Sequence, residues 1–308
     1  LAAFGKARYG ASCTSRLILA DSATPDFRDA LPMSLGALLF DVDGTLADTE
    51  PDGHLPAYNR AFKEHGLDWK WTKTLYRKLL LVSGGRERID HYLDAYEPAL
   101  GSHDESIRSD RKAWIERLHQ SKSRHFRDRL EKGQVPLREG VTRLIREAGE
   151  AGLRIAIVTN ATRATLEPFL NHALGQALRP YIELTVCGDE VDRKKPAPDA
   201  YRQACERLGC APSECVAIED SNAGATAAYA ARIPVLVTVN DDTRRQRFNA
   251  ASAVVDSLGE PDRPVRIMLS PGFEFDYVNL DVLRRINAAS RDGCGAVGHA
   301  GDNDGTGH

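Results

Sequence analysis

Four short stretches of this 308-residue chain carry residue types that do chemistry together. The first is Phe40-Asp41-Val42-Asp43-Gly44-Thr45-Leu46, at the end of an apolar run. Two carboxylates one residue apart, at a strand terminus that unwinds into a glycine turn, can converge on one point. A metal ion together with a phosphate is one reason to tolerate their repulsion; an acidic turn is the plain alternative for an isolated Asp-x-Asp. The second stretch, Ile155-Ala156-Ile157-Val158-Thr159-Asn160, ends an apolar run in a hydroxyl and an amide. The third, Lys194-Lys195-Pro196-Ala197-Pro198-Asp199, puts a lysine before a helix, and the fourth, Val216-Ala217-Ile218-Glu219-Asp220-Ser221, ends a run in two acids. Phosphoryl transfer asks for such a set: a nucleophile, charge neutralisation and oriented donors, with little other chemistry.

The elements that must position these residues follow from periodicity. Short apolar runs at Ala37–Phe40, Arg154–Val158, Leu184–Val186, Cys215–Ile218 and Pro234–Val239 predict buried parallel strands. Amphipathic segments at Gly140–Ala151, Ala161–Ala173 and Asp199–Leu208 lie between them. The alternation predicts an α/β fold, a Rossmann-like doubly wound parallel sheet with helices on both faces. Right-handed crossovers then bring all strand C-termini to one edge, where ligands bind. The stretch from Glu50 to Gly133 is rich in charged and aromatic residues, shows no strand pattern and predicts an inserted α-helical cap domain. The expected organisation is a leader at 1–33, a core domain at 34–49 and 134–260, the cap at 50–133, and a C-terminal extension at 261–308, largely disordered.

Composition excludes several classes. With 42% hydrophobic and 28% charged residues the chain has the balance of an ordinary soluble protein. A net charge of −3 argues against a nucleic-acid partner. No apolar run approaches the roughly 20 residues that cross a bilayer, so no membrane role is expected, and nothing calls for more than a monomer. The six cysteines (Cys13, Cys187, Cys205, Cys210, Cys215 and Cys294) form no CxxC pair and stand beside no histidine cluster. They are expected to be free thiols in a reducing compartment such as the cytoplasm. Residues 1–32 carry Lys6, Arg8 and Arg16 before the first acid at Asp21, so they read either as a transit peptide, which would place the protein in a plastid, or as sequence upstream of a start at Met33.

The four motifs, in this order and each at an expected strand or helix boundary, resemble those of the haloacid-dehalogenase superfamily. The resemblance implies a phosphatase that works through an aspartyl-phosphate and uses Mg2+ as cofactor. Asp41 would be the nucleophile, and Asp43 would protonate the leaving oxygen and then deprotonate water. The metal would be held by a carboxylate oxygen of Asp41, the main-chain carbonyl of Asp43, and Asp220, with Glu219 an inner or outer ligand. Thr159 and Asn160 would donate to phosphoryl oxygens, and Lys195, chosen over Lys194 because it directly precedes Pro196, would stabilise nucleophile and transferring group. Dehalogenating members of the fold generally lack the second acid, so Asp43 with Glu219 and Asp220 argues against that activity.

The cap narrows the resemblance. Glu50, His54, Tyr58 and Asn59, then Gly66-Leu67-Asp68-Trp69-Lys70-Trp71, Tyr76-Arg77 and Gly84-Gly85-Arg86-Glu87-Arg88-Ile89, are similar to the CbbY-like branch, whose characterised members are xylulose-1,5-bisphosphate phosphatases linked to carbon fixation. The similarity runs from Leu35 to Leu258, with one apparent extra residue at Pro51-Asp52-Gly53. It implies that Glu50, His54 and Tyr76 bind sugar hydroxyls and the keto group. It also implies that Arg86 and Arg88, beside Gly84 and Gly85, hold a distal phosphate. On spacing alone Trp69, Trp71 and Tyr76 are cap core, and Arg86-Glu87-Arg88 is a solvated helix start. The rival activities are a β-phosphoglucomutase-like transfer to sugar instead of water, a phosphoglycolate phosphatase, and a non-catalytic phosphosugar-binding protein, which would be expected to lose an acid or the lysine.

Overall fold

The computed structural model describes residues 35–82 and 84–292. The leader at 1–33, with its transit-peptide and internal-start readings, lies outside the described residues, as do Cys13, Cys294 and the end of the extension.

A seven-stranded sheet forms the core, in the order β3-β2-β1-β4-β5-β6-β7. Its strands are β1 (Ala37–Phe40), β2 (Arg154–Val158), β3 (Leu184–Val186), β4 (Cys215–Glu219), β5 (Val235–Thr238), β6 (Ala253–Val255) and β7 (Ile267–Leu269). All pairings are parallel except β6 with β7. From β1 the chain winds outward through β2 and β3, then returns to pair β4 on the other side of β1. The crevice at such a reversal is where open α/β sheets bind ligands.

Period-two alternation splits the sheet's side chains between two cores. Leu38, Phe40, Ile155, Ile157, Val216 and Ile218 point to one face. There they meet Val141, Leu144 and Ile145 of α5 (Val141–Glu150). Ala37, Leu39, Ala156, Val158, Cys215 and Ala217 point to the other, under α8 (Asp199–Leu208) and α9 (Asn222–Ala230). In α8 the buried residues Ala200, Tyr201, Ala204, Cys205 and Leu208 make one stripe, and Gly209 ends the helix at φ 63°. Between β2 and β3 lie α6 (Arg163–Phe169) and the short α7 (Gly175–Leu178).

The inserted segment is helical, as expected. A π-helical turn at Glu50–His54 leads into α1 (Leu55–Glu64), followed by α2 (Lys73–Leu79), α3 (Gly85–Tyr96) and α4 (Asp104–Glu131). These enclose a separate, aromatic core in which Tyr58, Phe62, Trp69, Trp71, Tyr76, Tyr92 and Trp114 pack together. Trp69 and Trp71 are therefore cap core, as their spacing suggested.

The expectation of a largely disordered extension is corrected over residues 261–292, which supply β7 and α10 (Leu280–Asp292). Low apolar content hid them. Val278, Leu280, Val282, Leu283 and Ile286 nevertheless recur at helical spacing and bury in the core beside α5. The three-residue strands β6 and β7 are too short to show a period of two in sequence.

Candidate active site

Strand ends bring the four motifs together. The Asp41 amide still donates to the carbonyl of Ile218 at 3.0 Å, so the residue begins where the β1–β4 ladder ends. The Val42 carbonyl then accepts from Thr45, Leu46 and Ala47 at 3.2, 2.9 and 3.3 Å, a tight reversal that puts Asp41 and Asp43 on its two flanks. Gly44 makes the turn possible twice over. Its φ is +87°, and a Cβ there would overlap the carboxylate of Asp220.

Lys195 sits at the centre. Its ammonium donates to Asp41 Oδ1 at 2.7 Å, to Glu219 Oε1 at 2.6 Å and to the Val158 carbonyl at 2.7 Å, which uses all three hydrogens. Burial alone would lower its pKa, but the carboxylates of Asp41 and Glu219 outweigh burial and hold it above the ordinary lysine value. Lys194 is exposed, which supports the choice between the two lysines. Asn160 grips the Lys195 backbone at both ends, accepting from its amide at 2.9 Å and donating to its carbonyl at 3.2 Å. The expectation for Asn160 shifts accordingly: it lines the cavity, but its side chain positions Lys195. Thr159 is buried at the end of β2, lines the same cavity, and its hydroxyl accepts from the Ala161 amide at 3.0 Å.

Carboxylate oxygens of Asp41, Glu219 and Asp220 lie within 4.8 Å of one another. Burial pushes the Glu219 carboxyl up to about 7 against the pull of Lys195, with Asp41 adding to the rise. Asp220 is held well above the carboxylate range by burial and by Asp41 and Glu219. Glu219 Oε2 has no hydrogen-bond partner among the described residues although it is buried, and only a glycine at 224 leaves room for that carboxylate. Three hard oxygen donors suit a hard divalent cation such as magnesium, which would partner the orphaned Glu219 oxygen and favour the ionised forms of Glu219 and Asp220. The Asp43 carboxylate stands outside this trio. It accepts from the Thr49 hydroxyl, and burial together with Asp41 and Glu50 raises its pKa to about 7. A carboxyl poised there can carry a proton at neutral pH.

Four further residues shape the site and were not singled out from sequence. Asn240, just beyond β5, donates to Asp220 Oδ2 at 2.8 Å. Tyr201 of α8 donates to Glu219 Oε1 at 2.5 Å. Thr49 holds Asp43. Arg138 donates to carbonyls of Gly44, Thr238, Val239 and Asp256, stitching the turn after β1 to the ends of β5 and β6. Asn240 had a usable signal, since it ends a fifth strand on the ligand edge; Tyr201 is indistinguishable in sequence from a core position.

A cavity of about 1000 Å3 opens above Asp41 and is lined by residues of both sheet and cap. Of the cap residues implied by resemblance, Glu50 and Tyr76 line it, and the Tyr76 hydroxyl donates to Glu50 Oε2 at 2.5 Å. The others do not. His54 stacks on Phe126 at 4.0 Å and meets the Lys122 ammonium at 2.8 Å, its pKa pushed well down by burial and by Lys122. Arg86 pairs with Glu116 on the exposed flank of the cap. Arg88 is buried behind Tyr76, donating to its hydroxyl at 2.9 Å and to the Leu79 carbonyl at 3.2 Å. Gly84 turns the chain at φ +93°, and the Gly85 carbonyl accepts from Tyr58 at 3.1 Å. The expected distal-phosphate role of Arg86 and Arg88 is thus not supported by where they sit: a surface carboxylate and a buried phenol hold them first.

Known proteins resemble this chain in sequence and in fold. The model of the haloacid dehalogenase-like hydrolases matches residues 35–232. Protein CbbY of Cupriavidus necator is 44% identical over 248 residues, covering 80% of this chain and 95% of that protein. The crystal structure of CbbY from Rhodobacter sphaeroides in complex with phosphate superposes with a TM-score of 0.62 at 35% identity, covering 72% of this chain and 94% of the other. A variant of the same Rhodobacter protein in complex with xylulose 1,5-bisphosphate gives a TM-score of 0.61 over the same shares.

Proposed function

We propose that this chain, which belongs to the haloacid dehalogenase-like hydrolases and is a phosphatase similar to CbbY proteins, hydrolyses a sugar bisphosphate through a phosphoryl group carried on Asp41. The observation that carries the chemistry is one ammonium, Lys195, shared by two buried carboxylates beside a third acid, Asp43, whose pKa is about 7. The substrate class is supported by the xylulose 1,5-bisphosphate bound by the Rhodobacter relative and by a cavity of about 1000 Å3 that Asp41 shares with the cap residues Glu50 and Tyr76.

In this reading an Asp41 oxygen attacks phosphorus while Asp43 delivers its proton to the departing sugar oxygen. Asp43 then takes a proton from the water that attacks the aspartyl-phosphate. Lys195 keeps Asp41 aimed, and Asn160 keeps Lys195 in place. Thr159 lines the phosphoryl end of the cavity, and Glu50 and Tyr76 present oxygens to the sugar. Asp41, Glu219 and Asp220, with the main-chain carbonyl of Asp43, would hold magnesium, which supplies charge neutralisation for the phosphoryl oxygens when bound. The helices from 50 to 133 act as the cap that shields the ester from bulk water.

The test is a phosphate-release screen over sugar mono- and bisphosphates with magnesium or with EDTA. A magnesium-dependent preference for a pentulose bisphosphate is expected. Isomerisation of glucose 1-phosphate without net release would instead assign a mutase. Asp43→Asn, which keeps the Thr49 hydrogen bond but cannot carry the proton, should lower turnover by ~10²–10⁴-fold.

A further inference from the structure

Cys205, Cys210 and Cys215 follow one another at five-residue steps, and the proposed chemistry uses none of them. Their spacing forms no motif, yet folding brings the first and third into contact. Cys205 lies in the last turn of α8, Cys215 opens β4, and their sulfurs are 3.8 Å apart. The Cys210 thiol, between them in sequence, donates to the Leu208 carbonyl at 3.8 Å. Cys205 stands one helical turn after Tyr201, and Cys215 stands on the face of β4 from which Glu219 meets that tyrosine. Tyr201 donates to Glu219 at 2.5 Å. Helix and strand therefore touch at two rungs, a polar one at the active site and one of two sulfurs further from it.

We propose that Cys205 and Cys215 are a site of oxidative modification, where hydrogen peroxide forms a disulfide that staples α8 to β4 and disturbs the Tyr201–Glu219 rung. Cys205 is 5% exposed and Cys215 0%, so Cys205 is the sulfur that a small oxidant reaches first. This sulfur attacks one peroxide oxygen and the O–O bond breaks. The hydroxide released takes the thiol proton and leaves as water, and Cys205 becomes a sulfenic acid. The Cys215 sulfur then attacks the Cys205 sulfur. The S–S bond forms as the S–O bond breaks, and the departing hydroxide takes the Cys215 proton. Each thiol is oxidised by one electron, and one peroxide is reduced to two waters. A small dithiol reverses the change by thiol–disulfide exchange. Bond formation draws the sulfurs from 3.8 Å to about 2.05 Å. The active site feels that movement because Glu219 Oε1 accepts from both Tyr201 and Lys195, at 2.5 and 2.6 Å. A shift of α8 against β4 therefore reaches the carboxylate that shares the Lys195 ammonium with Asp41.

The experiment treats the full chain and its Cys205→Ala, Cys210→Ala and Cys215→Ala variants with hydrogen peroxide and then with dithiothreitol. Cleavage at Arg207 and Glu214 puts the three thiols on separate peptides, so mass spectrometry identifies the bridge directly. A linkage of Cys205 to Cys215 should form in wild type and in Cys210→Ala alone. In those two proteins kcat on p-nitrophenyl phosphate with magnesium should fall ~10-fold on oxidation, well within what a displacement of about 1 Å can cost. Dithiothreitol should restore it, and the two variants that lack a bridge partner should keep their rate throughout. The absence of a linkage, or one that joins Cys205 to Cys210 or to any other cysteine, overturns the proposal. A linkage that leaves kcat unchanged overturns it too, as does an equal loss of rate in Cys205→Ala.

Discussion

Replacing Lys195 by methionine, which keeps the stem and deletes the charge, should separate the site's electrostatics from its packing. The ammonium has 4% side-chain exposure and makes ion pairs of 2.7 and 2.6 Å with Asp41 and Glu219, themselves 10% and 1% exposed. Removing it leaves two buried carboxylates without a counter-ion, which costs ~3–5 kcal/mol, or a fall in Tm of about 10 °C for a chain of this size. The Lys195 pKa is raised above its ordinary 10.5, so its contribution is fully present below that pH and is lost only above it. Melts at pH 7.5 in EDTA therefore read all of it. The partner change Glu219→Gln removes one stranded charge and keeps an acceptor for the Tyr201 hydroxyl. The double variant should therefore recover at least ~1 kcal/mol relative to the sum of the singles. Phosphate release should drop by ~10²–10³-fold in Lys195→Met and stay low in the double variant, while Lys194→Ala behaves as wild type. Strictly additive stabilities, or a Lys195→Met enzyme with wild-type turnover, would refute the assignment of Lys195 as the shared counter-ion.

Asn240→Ala should weaken magnesium binding by ~10–100-fold, because Asp220 loses the donor that aims it. Titrating magnesium against phosphate release should show that shift with most of the rate restored at saturation; an unchanged magnesium dependence sinks the idea. Lys122 is a buried cation whose pKa is pushed from 10.5 down to about 8 by burial. Because the unfolded chain binds this proton more tightly, stability should rise with pH between about 8 and 10.5, and below about 8 the buried charge costs about 3 kcal/mol. Lys122→Met should raise Tm at pH 7, less whatever the contact with His54 contributes, and should flatten the rise; parallel melts at pH 7 and 9.5 that show no difference in slope would exclude it.

The motifs around Asp41, Thr159, Lys195 and Asp220 carried the resemblance from which a phosphatase was expected, and the apolar runs that end in them predicted a parallel sheet. The reason is that strand periodicity, and the one-edge rule for right-handed crossovers, act locally and need no knowledge of packing. For the same reason α8 and the first five strands lie close to where their patterns put them. Strands β6 and β7 and helix α10 escaped notice because short or polar-rich elements are stabilised by what they pack against, not by their own pattern.

The cap divides along the same line. Its helices and its Trp69–Trp71 core followed from composition and spacing, whereas the direction of each polar side chain did not. Arg88 and Tyr76 stand twelve residues apart, and only tertiary packing makes the first a buried support for the second and leaves the second on the cavity. Asn240 and Arg138 are similar cases. Neither belongs to a motif, yet each meets the catalytic turn across about a hundred residues or more of chain because the sheet lays the ends of β1, β4 and β5 side by side. Sequence alone thus determined which residue types stand at the strand ends and which family they resemble. Tertiary structure decided which charged side chains are already engaged, as Arg86 is with Glu116 and Arg88 with Tyr76, because a charge is available for binding only after folding has settled what else it touches.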